Sequence, residues 1–428
     1  ELKVTCISCK RSRPLLEATF EESLPACQAK RPWLNDTDPR GCQENMRLLV
    51  RTASNAYFAQ MTSALTIPEP PSVRAAVRSQ FNILKAATAH TLPAFMTIPQ
   101  VGRALQGFTQ EQILKAIHDE NNNILEQVDS LRTAEFRQFV SSAVEQLGEQ
   151  PKAAEEFFAR RLVPGSQGHP KHIQQVVLAH RLREVRVQLG FTRFEACTPD
   201  LQGEFPESDL QIKLAALGQN TDWLPGIIIR GEGFFIQLAE DDVREWEQRA
   251  AVQQRARVLF EGHRLWKGHS PAGSVPDFYG ARFYLLHTLA HLLIQAVSLE
   301  CGYSASAIRE RIYCAGASDD HPMAAILLST GTTGAEGTLG GLVEQGRWFS
   351  EHLRRACELG VLCSNDPVCA SHDPSHDPTQ RYLEGAACHG CLFIAEPSCE
   401  RQNHFLDRAL VFRIPGHEDV AFFEDPPA

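Results

Sequence analysis

Gly385-Ala386-Ala387-Cys388-His389-Gly390-Cys391, with Cys399 eight positions further on, is the stretch from which the architecture of this chain is read. Cys388 and Cys391 form a CxxC knuckle, whose two sulfurs reach one Zn2+ at ~2.3 Å through a tight turn. Cys369 lies nineteen positions before Cys388, and Cys363 and His372 add further donors, more than a tetrahedral site needs. Thiolates gathered in an apolar setting are costly unless a cation neutralises them. The spacing therefore predicts zinc held by Cys369, Cys388, Cys391 and Cys399, with Cys363 as the alternate. The competing readings are free thiols around a loop, or a redox dithiol, which lacks the surrounding thioredoxin-like βαβ pattern.

A second knuckle, Cys6-Ile7-Ser8-Cys9, opens the chain, and Cys27 and Cys42 follow after 17 and 14 intervening residues. Pro14, Pro25, Pro32 and Pro39 leave little room for long elements there. A small module of that kind gains much from a metal staple. A four-cysteine zinc module of Cys6, Cys9, Cys27 and Cys42 is expected, against the alternative of free or inward-packed thiols. The 13 cysteines of the 428 residues bunch at the two ends, unlike a short disulfide scaffold that is Cys-dense throughout. Cys197, Cys301, Cys314 and Cys357 sit in or near apolar runs and read as buried thiols.

Hydrophobic residues at 43 % and charged residues at 22 % exclude disordered and fibrous classes. No run reaches the ~18 consecutive apolar residues of a membrane helix, and no leader pattern opens the chain, so a cytoplasmic protein is expected. The expected fold is mixed α and β (α+β, multidomain). A small zinc module at 1–70 precedes a mainly helical middle at 71–275 with a β-hairpin near 224–238, and an α/β domain at 276–428 carries the second zinc. Within this plan, helices are expected after Cys42 towards Met61, over much of 72–163 and over 171–190. The run 72–163 has Ile113, Ile117, Ile124 and Val128 near the 3.6 period and a Thr109/Gln112 capping box. Further helices are expected at about 241–262, 283–297 and 342–357, and strands at 311–314 and 324–328.

Catalytic signatures are sparse. There is no G-x-x-x-x-G-K-[ST] phosphate loop and no G-x-S-x-G elbow. His287 and His291 have the i, i+4 spacing of H-E-x-x-H, but Thr288 stands where the general base belongs, and the surrounding leucines favour packed core histidines. Asp319-Asp320-His321 supplies the one alternative, a metal-dependent nuclease or hydrolase. The Gly-rich segment 331–341 leads into a helix, where backbone N–H groups can bind phosphate. The net charge of −10 confines nucleic-acid contact to a local patch. Arg160, Arg161, Lys171, Arg181, Arg183, Arg186 and Arg193 stand against Glu184 alone between 160 and 193, which suits sequence-independent binding of the DNA phosphate backbone.

Several of these stretches resemble one family. Gly385–Cys391, Glu396-Pro397-Ser398-Cys399-Glu400, Asn403 and Leu406-Asp407-Arg408 resemble the C-terminal zinc-binding domain of MrfA-type DNA repair helicases. The chain is more similar still to the DrmB family of the DISARM anti-phage system. That likeness extends over Cys363-Ser364-Asn365-Asp366-Pro367-Val368-Cys369, Glu336–Leu342, His287-Thr288-Leu289-Ala290-His291, Arg230-Gly231-Glu232-Gly233, Arg31-Pro32-Trp33-Leu34 and Ala53–Phe58. The resemblance implies a non-catalytic partner of a DrmA-like helicase ATPase, in a complex that engages DNA during phage restriction. It also implies further residues ahead of Glu1.

Overall fold

Two small hairpins come first, β1 (Lys3–Thr5) with β2 (Ser12–Pro14) and β3 (Lys30–Arg31) with β4 (Asp36–Thr37). The computed structural model describes residues 2–424 except 21–22, 40, 43–44, 47–56, 69–71, 123–129, 153, 166–167, 194–198, 202–213, 221, 270–275, 331–340 and 377–380. The main sheet is antiparallel and runs β5 (Phe58–Leu65), β7 (Ile173–Thr192), β8 (Gly226–Leu238), β10 (Met323–Thr330), β9 (Ile308–Ala315), with β6 (Phe158–Arg161) also on β7. Its strands come from all three stretches distinguished above.

Successive strand residues point to opposite faces, and here both faces are covered. Val176, Leu178, Phe234, Ile236, Ile312, Ile326 and Leu328 enter one core, and their neighbours Val177, Phe235, Tyr313 and Leu327 enter another. Five helices build a separate small core: α1 (Val73–Ser79), α2 (Phe81–Leu84), α3 (Leu92–Met96), α4 (Pro99–Ala104) and α5 (Gln110–Asn121). The Thr109/Gln112 capping box starts α5, and Ile113 and Ile117 are buried on it. Helix α6 (Leu131–Val140) closes the second face of the sheet with Phe136 and Phe139, and its buried Glu135 accepts from Arg311 at 2.6 and 2.7 Å.

The first face carries α7 (Glu240–Glu247), α8 (Ala250–His269), α9 (Gly280–Cys301), α10 (Gly341–Gln345) and α11 (Phe349–Val361). Helix α9 has the length and composition of a membrane span, yet nearly all of Ala281–Val297 is buried in the core. Cys314 and Cys357 are buried and Cys301 half-buried, while Cys197 lies outside the described residues.

Three local expectations are corrected. The helix expected at 171–190 is the 20-residue strand β7. Two bulges, at Ile173/Gln175 and Ala179/Leu182, break its alternation, and burial on both faces hides what remains. The hairpin expected near 224–238 is the single strand β8. Its glycines serve close approach rather than a turn: a Cβ on Gly233 would stand 1.9 Å from the Leu328 carbonyl oxygen of β10. The segment leading to Met61 is the strand β5, and the rest of that expected helix, 47–56, lies outside the described residues, as do Ile124, Val128 and 331–340 of the Gly-rich segment.

Candidate metal centre

Helix α11 ends at Val361, and the chain turns at once into the loop Cys363–Cys369. The Asp366 carboxylate shapes that loop by accepting the Cys363 N–H at 2.9 Å and the Ala370 N–H at 3.0 Å. Arg408, fully buried, reaches the same carboxylate and donates to the Gly360 and Val361 carbonyls at 3.2 and 3.0 Å, which also satisfies the end of α11. The facing loop is the Cys388–Cys391 knuckle. There the Gly390 N–H donates to Cys388 Sγ at 3.3 Å, and the Asn365 N–H donates to Cys363 Sγ at 3.4 Å in the same manner. Asn365 also crosses to Cys388 Sγ at 3.3 Å. A Cβ on Gly390 would sit tightly against the Ser364 and Asn365 side chains, at 3.0 and 3.2 Å.

These two loops bring together Cys363, Cys369, Cys388 and Cys391. The sulfurs are 3.5 Å apart for Cys363–Cys388 and 3.8 Å apart for both Cys369–Cys391 and Cys388–Cys391. A tetrahedral zinc with Zn–S of ~2.3 Å requires sulfur separations of ~3.8 Å, so the donor set fits the ion. The hydrogen bond from Cys391, helped by the charge of Arg408, brings the Cys369 thiol down to about 6. Cys391 moves up in turn as the partner that keeps its hydrogen. Four thiolates that exclude solvent on one side and supply every ligand are suited to structural zinc, with no open position for substrate.

The sequence-based ligand set changes in one member. Cys363 belongs to the cluster, and Cys399 does not: it is buried elsewhere, against His287 of α9 at 3.2 Å. Counting spacings alone made Cys363 look remote, but the loop it opens folds back through Asp366. His372 hydrogen-bonds the Arg381 carbonyl at 3.2 Å and stands outside the cluster. Near the N-terminus the Cys9 N–H faces Cys6 Sγ at 3.5 Å, and Cys27 Sγ accepts the Ala29 N–H at 3.3 Å. Among the described residues, Cys6, Cys9, Cys27 and Cys42 do not gather into a ligand group as the C-terminal cysteines do.

The basic stretch lies along β6 and β7 and is largely occupied. Arg160 is bonded to Glu149, Arg186 to Glu184 at 2.7 Å, and Arg183 to Thr66 at 2.9 Å with Glu156 at 3.8 Å. Arg181 donates to the Lys152 and Glu155 carbonyls at 2.9 Å each. The carboxylates involved come mostly from 149–156, just ahead of the window in which the charge imbalance appears. Arg161, Lys171 and Arg193 are exposed. Asp319, Asp320 and His321 form an exposed turn between β9 and β10, where His321 meets Arg137 of α6.

A family model described as the MrfA Zn-binding domain matches residues 289–392, a span that contains the four clustered cysteines and stops short of Cys399. A domain of unknown function, DUF8724, matches residues 1–58. The DISARM protein DrmB of Bacillus paralicheniformis is 33 % identical over 442 residues, covering 99 % of this chain and 74 % of that protein. Among solved structures, the DUF1998 helicase MrfA bound to DNA aligns with 52 % of this chain at 12 % identity and a TM-score of 0.24, and the chain spans 23 % of that helicase.

Proposed function

This chain belongs to the DrmB family of DISARM defence proteins, and from that premise we propose that it is a non-catalytic, zinc-stabilised accessory subunit. Its partner in this reading is a DrmA-like helicase ATPase, and the two engage the DNA phosphate backbone together in the cytoplasm. The observation that carries the reading is the fate of the chemically capable side chains. The four-cysteine cluster supplies all four ligands of a tetrahedral ion, and the exposed Asp319–His321 turn is tied to α6 through His321 and Arg137. That leaves ATP turnover to the partner.

Within the basic stretch, Arg161, Lys171 and Arg193 are the side chains offered to phosphate, while Arg160, Arg181, Arg183 and Arg186 are occupied by partners within the protein. The test is reconstitution with a DrmA-like helicase. The chain alone should show neither ATPase nor nuclease activity, and it should co-purify with the helicase and tighten DNA binding. Reversing Arg161 and Arg193 to Glu should lower the salt slope of that binding by about one per lost phosphate contact. Nuclease activity of the isolated chain that disappears in Asp319→Ala or His321→Ala would overturn the non-catalytic assignment. An unchanged salt slope would remove the DNA surface.

A further inference from the structure

Helix α9 places His287 and His291 one turn apart on the side that meets β9. Glu310 of β9 points back at them, and the C-terminal loop adds Cys399. All four are buried, and their donor atoms lie within 4.8 Å of one another. His287 Nε2 is 2.9 Å from Glu310 Oε1 and 3.2 Å from Cys399 Sγ, and His291 Nε2 is 3.5 Å from Glu310 Oε2.

Backbone carbonyls meet the outer ring nitrogens of both histidines. His291 Nδ1 is 2.9 Å from the Leu392 carbonyl and His287 Nδ1 is 3.3 Å from that of Phe405. A carbonyl only accepts, so in the tautomer that satisfies both carbonyls each Nδ1 carries the hydrogen and each neutral ring presents its Nε2 lone pair inward. Histidines that ligate metals are held in this way, the second nitrogen donating to a backbone carbonyl. The Glu310 carboxylate also only accepts. Its Oε1 takes the Glu400 N–H at 2.9 Å, whereas Glu310 Oε2 and His291 Nε2 have no hydrogen-bond partner at all. Cys399 Sγ accepts the Arg401 and Asn403 N–H groups at 3.3 and 3.2 Å, which fix its position in the cluster. The guanidinium of Arg401 donates to the Asp200 carbonyl at 2.6 Å and stands 5.4 and 5.5 Å from the Tyr279 and Phe283 ring centroids.

A buried carboxylate oxygen and an imidazole nitrogen left without partners in a dry interior are unfavourable until a cation sits between them. We infer that His287, His291, Glu310 and Cys399 form a second metal site, distinct from the four-cysteine cluster, and that it takes Zn2+. One thiolate, one carboxylate and two neutral imidazoles balance a divalent ion, and this mixture of N, S and O donors is one that zinc accepts. The protein supplies all four positions and water reaches none, so the ion is structural. It fastens α9 to β9 and to the C-terminal loop.

The experiment is zinc analysis with X-ray absorption at the zinc edge, on the full chain freed of any histidine tag. The four-cysteine cluster and the second site together give a mixed first shell, roughly three N/O ligands at ~2.0–2.2 Å for every five sulfurs at ~2.3 Å. Zinc in an N-terminal cysteine module would add sulfur only and leave the N/O shell in place. Cys399→Ser should lower the zinc content by one ion per chain and diminish the N/O shell, with the zinc of the four-cysteine cluster retained. An all-sulfur first shell in the unmutated chain would overturn the site and leave a metal-free hydrogen-bond network. That spectrum decides the matter even if Cys399→Ser does not fold.

Discussion

Asp407 is completely buried beside Arg255 of α8, with 2.7 Å between Arg255 Nε and Asp407 Oδ2. Its other oxygen, Oδ1, accepts the N–H groups of Ala386 and Ala409 at 3.0 and 3.2 Å. Asp407→Asn keeps that second oxygen and removes the charge, which leaves the Arg255 guanidinium uncompensated in the core. Breaking a buried pair on one side costs about 3–5 kcal/mol, a large part of the ~5–15 kcal/mol that stabilises a typical fold. Arg255→Met/Asp407→Asn removes both charges and still satisfies both N–H groups, so it should recover most of the loss. Urea unfolding followed by the fluorescence of buried Trp246 measures all three variants as a double-mutant cycle. Burial raises the Asp407 pKa, and the neighbouring Arg255 outweighs it, so the carboxyl titrates below its usual range. A depressed carboxylate contributes stability that is complete above the unfolded value of ~3.9 and lost as pH falls through the folded one. The Asp407→Asn penalty should therefore be equal at pH 7 and pH 5 and shrink only in stronger acid. A penalty below about 1 kcal/mol, or a double variant as unstable as the sum of the singles, would refute the reasoning.

Two further outcomes follow from the same geometry. Cys363→Ser should release one zinc per chain just as Cys388→Ser does, by elemental analysis; retention of that zinc would return Cys363 to the role of a bystander. Gly233→Ala forces a Cβ to within 1.9 Å of the Leu328 carbonyl oxygen, so β8 and β10 must separate locally. The expected loss is about 3 kcal/mol or more, seen as a lowered unfolding midpoint, and a variant as stable as the parent would contradict the described register.

The parts of the fold that sequence reveals are those with a single strong pattern. Helix α9, strands β9 and β10, the cap of α5 and the CxxC knuckle all follow from local chemistry. Strand β7 does not, because a strand buried on both faces and interrupted by two bulges shows neither alternation nor a clean apolar run. The basic stretch reads as more highly charged than it is for a related reason: the neutralising carboxylates of 149–156 are near in space and fall outside the counted window. Among the cysteines, spacing identifies the group but not its members, since membership depends on how Asp366 and Arg408 fold the Cys363–Cys369 loop.

One signal for the rest was present in α9. This apolar helix carries Tyr284, Thr288, His291 and Gln295 at intervals of four, three and four residues, a polar stripe on one side. Each of these side chains meets the C-terminal segment. Tyr284 donates to the Leu383 carbonyl at 2.9 Å, Thr288 accepts the Asp407 N–H at 2.9 Å, His291 bonds the Leu392 carbonyl at 2.9 Å, and Gln295 bonds that of Cys391 at 3.0 Å. Polar groups this deeply buried are tolerated only when bonded, so the stripe specifies the surface that must dock there. The zinc knuckle is thus an integral cover of the sheet's core. Gln295 and His291 of α9 hang on the consecutive carbonyls of Cys391 and Leu392 in the knuckle loop, and stripping zinc from the knuckle should loosen α9 along with the loop.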